Sequence, residues 1–155
     1  MDRFVSHYTS KLDSKGRVVI PAPFRNLLDK DGYEGLYVHP ALDFPALDCG
    51  GNALLAEIDV LLQRFSAYSE ERDFFATALM GASQIVKRDN EGRFIFTDMM
   101  REVTGITDSV TFVGHGHKFQ IWESSRFNDH FAESRSKLRA MRKLLSPTSS
   151  TGGIG

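Results

Sequence analysis

Two stretches of this chain are copies of one another. Residues 13 to 25 read Asp-Ser-Lys-Gly-Arg-Val-Val-Ile-Pro-Ala-Pro-Phe-Arg, and 76 residues further on, residues 89 to 101 read Asp-Asn-Glu-Gly-Arg-Phe-Ile-Phe-Thr-Asp-Met-Met-Arg. Asp13/Asp89, Gly16/Gly92, Arg17/Arg93 and Arg25/Arg101 are identical without a gap, and Ile20 and Phe96 are both apolar. In the same register Leu36-Tyr37-Val38-His39 lies over Phe112-Val113-Gly114-His115, and a slip of one residue sets Phe44 to Asp48 over Phe119 to Glu123. A repeated supersecondary unit cannot bury its apolar face alone, so the two copies are expected to pack on each other.

Each copy carries the same punctuation. A short extended run, Tyr8 to Leu12 or Ser83 to Lys87, precedes Asp-x-x-Gly, and Arg17-Val-Val-Ile20 or Arg93-Phe-Ile-Phe96 follows it, rich in residues that suit a pleated surface. Aspartate can hydrogen-bond the backbone two residues on and glycine takes positive φ freely, so Asp-x-x-Gly predicts the loop of a β-hairpin. A helix follows each one. Pro21 and Pro23 suit the first turn of one; Thr97 as N-cap and Gly105 as C-terminal glycine bracket the other. Another strand pair completes each copy, and the two copies predict one small barrel.

The segment between the copies is helical in pattern. Leu54, Ile58, Leu61, Leu62 and Phe65 recur at helical spacing after Asn52, and Ser69-Glu70-Glu71 opens a second helix carrying Phe74, Phe75, Ala78 and Leu79 toward Gly81. Phe127, Phe131, Leu138, Met141 and Leu145 mark a third helix before Pro147, and the Ser/Thr/Gly-rich tail from Ser146 to Gly155 is expected to be disordered.

Several classes of function fall away. At 155 residues the chain has room for about one domain and none for a large multidomain enzyme. Its apolar runs are far shorter than the roughly 20 residues that span a bilayer, and its N-terminus lacks a signal-peptide core, so a cytoplasmic protein with no membrane partner is expected. The single cysteine, Cys49, can form neither an internal disulfide nor a four-cysteine zinc site. His115-Gly116-His117 could bring two imidazoles near His39 or His7, but no acidic or cysteine partner stands at ligand spacing, and the glycines favour a turn between strands; no metal is expected. Cys49 has no flanking nucleophile signature, Ser14 lacks a Gly-x-Ser-x-Gly context, and there is no Walker or Rossmann glycine pattern. No enzyme, cofactor or small-molecule ligand is expected.

Charge is informative only locally. Nineteen Lys and Arg against twenty Asp and Glu give −1 overall, without the global basic footprint of many nucleic-acid binders. Residues 11 to 17 nevertheless carry Lys11, Lys15 and Arg17 against Asp13, and residues 87 to 93 carry Lys87, Arg88 and Arg93 against Asp89 and Glu91. Both loops are basic. Such a loop can enter a major groove, with guanidinium forks reaching guanine and ammonium groups meeting phosphates. Equally, Asp13 and Arg17 could merely pair to lock the turn, and the residues alone leave both readings open. The excess of cations between Arg126 and Lys143 fits a solvated face opposite the apolar stripe of the terminal helix.

The doubled Asp-x-x-Gly-Arg pattern, with Asp13 to Pro21 in the first copy and Gly105-Ile106-Thr107, Val113-Gly114 and Lys118 to Glu123 in the second, closely resembles the MraZ family. These are bacterial transcriptional regulators built from two SpoVT/AbrB-type repeats, and the likeness covers roughly residues 3 to 145. It implies an α+β fold: a pseudo-symmetric, swapped-hairpin (double-split) β-barrel with an inter-repeat helical arm and a C-terminal helix. The implied divisions are repeat 1 at 7–52, helices at 53–82, repeat 2 at 83–126, the C-terminal helix at 127–145 and the tail at 146–155. The resemblance further implies a repressor in a head-to-tail homo-oligomeric ring. It would bind short direct-repeat boxes in double-stranded promoter DNA upstream of the division and cell-wall gene cluster, in the cytoplasm with the nucleoid. The family's DNA-contacting arginine falls on Arg17 and, in the second copy, Arg93; Ser14, Lys15 and Arg88 join them as expected DNA-binding residues. Asp13, Gly16, Asp89 and Gly92 are the expected loop-structuring residues. Lys15 faces Glu91 in the second copy, so the first loop is expected to carry more of the contact. AbrB-like barrels also resemble antitoxin dimerisation domains, which keeps a protein-interaction module as the alternative. Where the family's first copy usually closes with Tyr-Pro and a tryptophan-containing segment, this chain has Leu47-Asp-Cys-Gly-Gly-Asn-Ala53, leaving that last strand open.

Overall fold

A computed structural model describes residues 2 to 145; the tail from Ser146, expected to be disordered, lies outside the described residues. The fold is α+β. Its elements in chain order are β1 (His7–Lys11), β2 (Arg17–Val19), α1 (Ala22–Asp31), β3 (Leu36–Pro40), β4 (Leu47–Gly50), α2 (Asn52–Gln63), α3 (Glu70–Met80), β5 (Gln84–Val86), β6 (Arg93–Ile95), α4 (Asp98–Thr104), β7 (Ser109–Gly114), β8 (Phe119–Glu123) and α5 (Ser124–Leu145). The chain divides into two units, one ending at Ser124 and one beginning at Ser125. All sheets lie in the first.

The turns form as their residues predict, but the strands that flank them do not pair as hairpins. Asp13 N–H donates to the Arg17 carbonyl and Gly16 N–H to the Asp13 carbonyl, with Asp89, Arg93 and Gly92 repeating the pattern. Beyond the turn the strands part: β1 pairs with β7, β5 with β3, and β2 with β6. The six-stranded antiparallel sheet runs β1-β7-β8-β4-β3-β5, and β2-β6 stands as a separate two-stranded ribbon. Exchanging the copies reverses the order of the large sheet and leaves it unchanged. The ribbon obeys the same two-fold: Val18 pairs with Phe94, its own equivalent, and Ile20 N–H to Gly92 carbonyl is mirrored by Phe96 N–H to Gly16 carbonyl, both 2.9 Å. A hairpin was the wrong inference because a tight turn constrains only its own residues. The apolar inner faces, Val18-Ile20 and Phe94-Phe96, gain more by packing on each other than on their neighbours in sequence.

Register corrects the alignment of the later strands. Tyr8 opposes Phe112 and its equivalent Gln84 opposes Val38, so Val38, not Leu36, corresponds to Phe112. With Val38 matched to Phe112, the pairing of His39 with Asp48 and of Val113 with Gln120 makes Asp48 equivalent to Gln120, which it opposes at the centre of the sheet, in place of Glu123. Two length differences cause this: α1 has 10 residues and α4 has 7, and the connection at 41–46 is longer than its counterpart at 115–118. The two-residue slip at β3 preserves which side chains point inward, so the apolar pattern cannot detect it.

Both copies feed one core. Val18, Ile20, Phe24, Leu28, Val38 and Leu47 pack with Phe94, Phe96, Met100, Phe112, Phe119 and Ile121, all fully or almost fully buried; burial of each such side chain contributes about 1.5–3 kcal/mol. The divergent segment Leu47–Gly50 does form the last strand of the first copy, buried throughout and held between β3 and β8. Asp48 is accommodated there by partners: its Oδ1 accepts Gln120 Nε2 at 2.8 Å and its Oδ2 accepts Lys118 Nζ at 3.0 Å, while Gln120 Oε1 accepts Trp122 Nε1 at 3.0 Å. The helical arm packs on β3 through Tyr37, Leu54, Ile58 and Leu79. Asp31 of α1 caps α2, accepting the N–H groups of Asn52 and Ala53 at 2.7 and 3.2 Å. Ser69 caps α3 as its sequence predicts, accepting Arg72 N–H at 3.1 Å.

Candidate nucleic-acid interface

The two Asp-x-x-Gly-Arg loops have one construction. Asp13 Oδ1 accepts the N–H groups of Lys15 and Arg17 at 2.9 and 2.8 Å, and Oδ2 accepts Arg17 Nε at 2.8 Å. Asp89 does the same for Glu91 N–H, Arg93 N–H and Arg93 Nε, at 2.9, 2.9 and 2.7 Å. These donors, the Arg17 and Arg93 backbone N–H groups foremost, hold both carboxyls below their ordinary pKa. Gly16 and Gly92 sit at φ +75° and +77°, where a side chain would be strained.

The lock and the reader are compatible. Asp13 engages Arg17 through Nε alone, and among the described residues the two terminal nitrogens of Arg17 have no hydrogen-bond partner. A guanidinium held at Nε and presenting both Nη groups is preorganised for a two-point acceptor such as a phosphate or a guanine edge. Arg93 is held in the same way but spends one Nη on Glu91 Oε1 at 3.2 Å. Ser14 and Lys15 are exposed at the first loop, and the Lys15 ammonium makes no ion pair among the described residues.

Arg88 is placed differently from the other expected contacts. Its Nε donates to the Gly35 carbonyl at 2.9 Å, Nη2 to the Tyr33 carbonyl at 2.6 Å and Nη1 to Asp29 at 3.0 Å, and its side chain is 11% exposed. A ligand would have to break that set, so in this structure Arg88 serves the fold. Its charge in a basic run suggested otherwise because sequence does not show which cations are already bonded.

Antiparallel pairing sets Arg17 opposite Ile95 and Val19 opposite Arg93. With Val18 and Phe94 buried on the inner face, strand alternation puts Arg17, Val19, Arg93 and Ile95 on the outer one. The arginines are diagonal neighbours about 7–8 Å apart, each next to its own loop at opposite ends of the ribbon. Two further arginines support the loops from the other copy. Arg25 of α1 donates from Nη1 to the Glu91 carbonyl in the second loop, and a Cβ on Gly92 would strike its guanidinium. Arg101 of α4 lies over the first loop, where a Cβ on Gly16 would be 2.9 Å from its Nη2. Their identity at matching positions was visible in the sequence; their crossing from one copy to the other was not.

The other candidates part from this site. His39 lies in β3 with Nδ1 donating to the Pro40 carbonyl at 2.8 Å, and His115 and Gly116 form the turn between β7 and β8. Among the described residues no three His, Cys, Asp or Glu side chains are grouped to hold a metal ion, and no helix is long and apolar enough to cross a membrane. Cys49 is buried, and burial pushes its thiol well above the ordinary pKa, which removes the thiolate that reactivity requires.

Comparison with known proteins identifies the family. The chain is 62% identical over 146 residues to the transcriptional regulator MraZ of Methylocella silvestris, covering 94% of this chain and 89% of the relative. It is 60% identical over 146 residues to MraZ of Beijerinckia indica, with the same coverage, and 51% identical over 153 residues to MraZ of Azorhizobium caulinodans, covering 99% and 98%. The chain belongs to the MraZ family. No family model matches it. Its MraZ relatives are regulators of transcription and not enzymes, as the lack of any catalytic motif led one to expect.

Proposed function

We propose that this protein is a sequence-specific DNA-binding regulator that represses transcription from its own upstream region, in the division and cell-wall gene cluster. The observation that carries the reading is the preorganised Arg17 guanidinium, locked at Nε, whose terminal nitrogens, like the Lys15 ammonium beside it, have no partner among the described residues. The reading assigns DNA contact to Ser14, Lys15, Arg17 and Arg93, and loop structure to Asp13, Gly16, Asp89 and Gly92. The palindromic strand order and the crossing of β2 with β6 support a swapped-hairpin barrel built from the two repeats.

Short direct-repeat boxes need readers related without a two-fold axis between them, which a head-to-tail ring supplies and an isologous dimer does not. Boxes about 10 base pairs apart place neighbouring subunits on one side of the duplex. Multivalency also accounts for a charge of −1: each subunit offers few cations and several act together at high effective concentration. Such a protein works in the cytoplasm, at the nucleoid.

The test is a fluorescence-anisotropy titration of wild type and Arg17→Ala against the upstream DNA and a scrambled duplex across a salt series. Wild type is expected to prefer the upstream DNA, with log K falling against log salt by about 0.9 per phosphate neutralised, and Arg17→Ala to lose the preference. Equal binding of both duplexes by an intact wild-type oligomer would sink the proposal and favour the protein-interaction module.

A further inference from the structure

The outer face of the β2-β6 ribbon presents two apolar side chains where solubility alone would favour polar ones. Val19 is 43% and Ile95 63% exposed, against 1% and 2% for Val18 and Phe94 beneath them. Each stands directly across the ribbon from an arginine, Val19 from Arg93 and Ile95 from Arg17. Ile95 also borders a hollow of about 320 Å³ whose lining includes Arg17, Lys87 and Arg93. The result is a two-by-two patch, cations on one diagonal and aliphatic groups on the other.

This arrangement decides between occupants. A second copy of the same face would crowd four guanidinium groups into one contact, whereas a duplex groove offers anionic walls and hydrogen-bond acceptors with apolar groups between them. In the major groove, about 12 Å wide and able to admit a two-stranded ribbon, the apolar feature is the thymine C5-methyl group. We propose that Val19 and Ile95 are specificity-determining residues that contact thymine methyls while Arg17 and Arg93 engage phosphates or guanines on either side. The proposal rests on the DNA-binding reading above and adds to it a base identity and two residues outside the loops.

The experiment is a binding cycle with the full-length oligomer. The ligands are the upstream duplex and the same duplex with every thymine replaced by deoxyuridine, which pairs identically and lacks only the methyl. The proteins are wild type and the double variant Val19→Ser/Ile95→Ser, which leaves no methyl at these two exposed positions, its fold checked by circular dichroism. Wild type should bind the deoxyuridine duplex about fourfold more weakly for each methyl contacted, and the double variant should bind both duplexes alike with an unchanged salt slope. A wild type that prefers upstream over scrambled DNA yet binds thymine and deoxyuridine duplexes equally overturns this inference and leaves the DNA-binding reading standing. The inference falls equally if the double variant keeps the wild-type discrimination, or if it instead lowers the oligomer mass in light scattering, which would make the face a contact between copies. No preference for upstream DNA at all overturns both.

Discussion

At Gly92 the chain has no room for a side chain in two senses, and separating them gives a test. Gly32 and Gly92 have nearly the same backbone, φ +79° and +77°, but a Cβ at Gly32 meets nothing within 4 Å while one at Gly92 would collide with the Arg25 guanidinium. Gly32→Ala is expected to cost only the left-handed strain, about 1–2 kcal/mol. Gly92→Ala adds loss of the Arg25 bond to the Glu91 carbonyl, about 1 kcal/mol more; thermal unfolding should show a lower Tm for Gly92→Ala, by roughly 2–4 °C per kcal/mol. The aspartates make a pH prediction. Because Asp13 and Asp89 are held below the ordinary 3.8, their stabilising bonds are complete above that value and are lost as pH falls through the lowered one. Carboxyl carbon resonances should therefore titrate with midpoints below 3.8 for both. Arg17→Ala should move the Asp13 midpoint only part of the way up, since the backbone donors remain. Much of this was legible: Asp, Gly and Arg at fixed spacing describe a turn whose bonds are local. Arg25, Arg88 and Arg101 were not, because their partners lie 66, 53 and 85 residues away and nothing near them in sequence announces the contact.

Among the elements, the helices were easier to locate than the strand pairing. A cap is a local bond, and Thr97 shows it doubly: Oγ1 accepts Met100 N–H at 3.4 Å and donates to Gln84 Oε1 at 2.8 Å, tying α4 to β5. Thr97→Ala should cost about 1–2 kcal/mol, at the upper end for a cap because both bonds go, and Ser69→Ala about 1 kcal/mol; urea unfolding midpoints would rank the two. Strand partners depend on what the rest of the chain offers. The three-residue strands β2 and β6 each have a single apolar inner residue, Val18 and Phe94, too little to say which strand will cover it. The repeat itself held the information, since two like edges can satisfy one another, but the turn chemistry pointed to hairpins and the three-residue difference between α1 and α4 displaced the later alignment.

Across the whole molecule the two copies meet at the β4-β8 seam as well as at the ribbon, and the seam is where a buried charge is held. Asp48, 6% exposed, has both oxygens committed to Lys118 and Gln120. Asp48→Ala would orphan the Gln120 amide and strand the Lys118 ammonium, an expected loss of about 3 kcal/mol; Asp48→Asn, which can still accept from Gln120, should lose less. Trp122 is the single tryptophan and shares the network through Gln120, so its fluorescence reports the transition at the seam. The equivalence of Asp48 with Gln120, like that of Lys15 with Glu91, shows where the internal two-fold is broken. A dimer of identical chains must carry the same group at both related positions. One chain holding both copies is free of that rule, and with an ammonium at one tip and a carboxylate at the other the ribbon has a head and a tail. A partner lying along it therefore meets two non-equivalent orientations, and the molecule can tell left from right on whatever it binds.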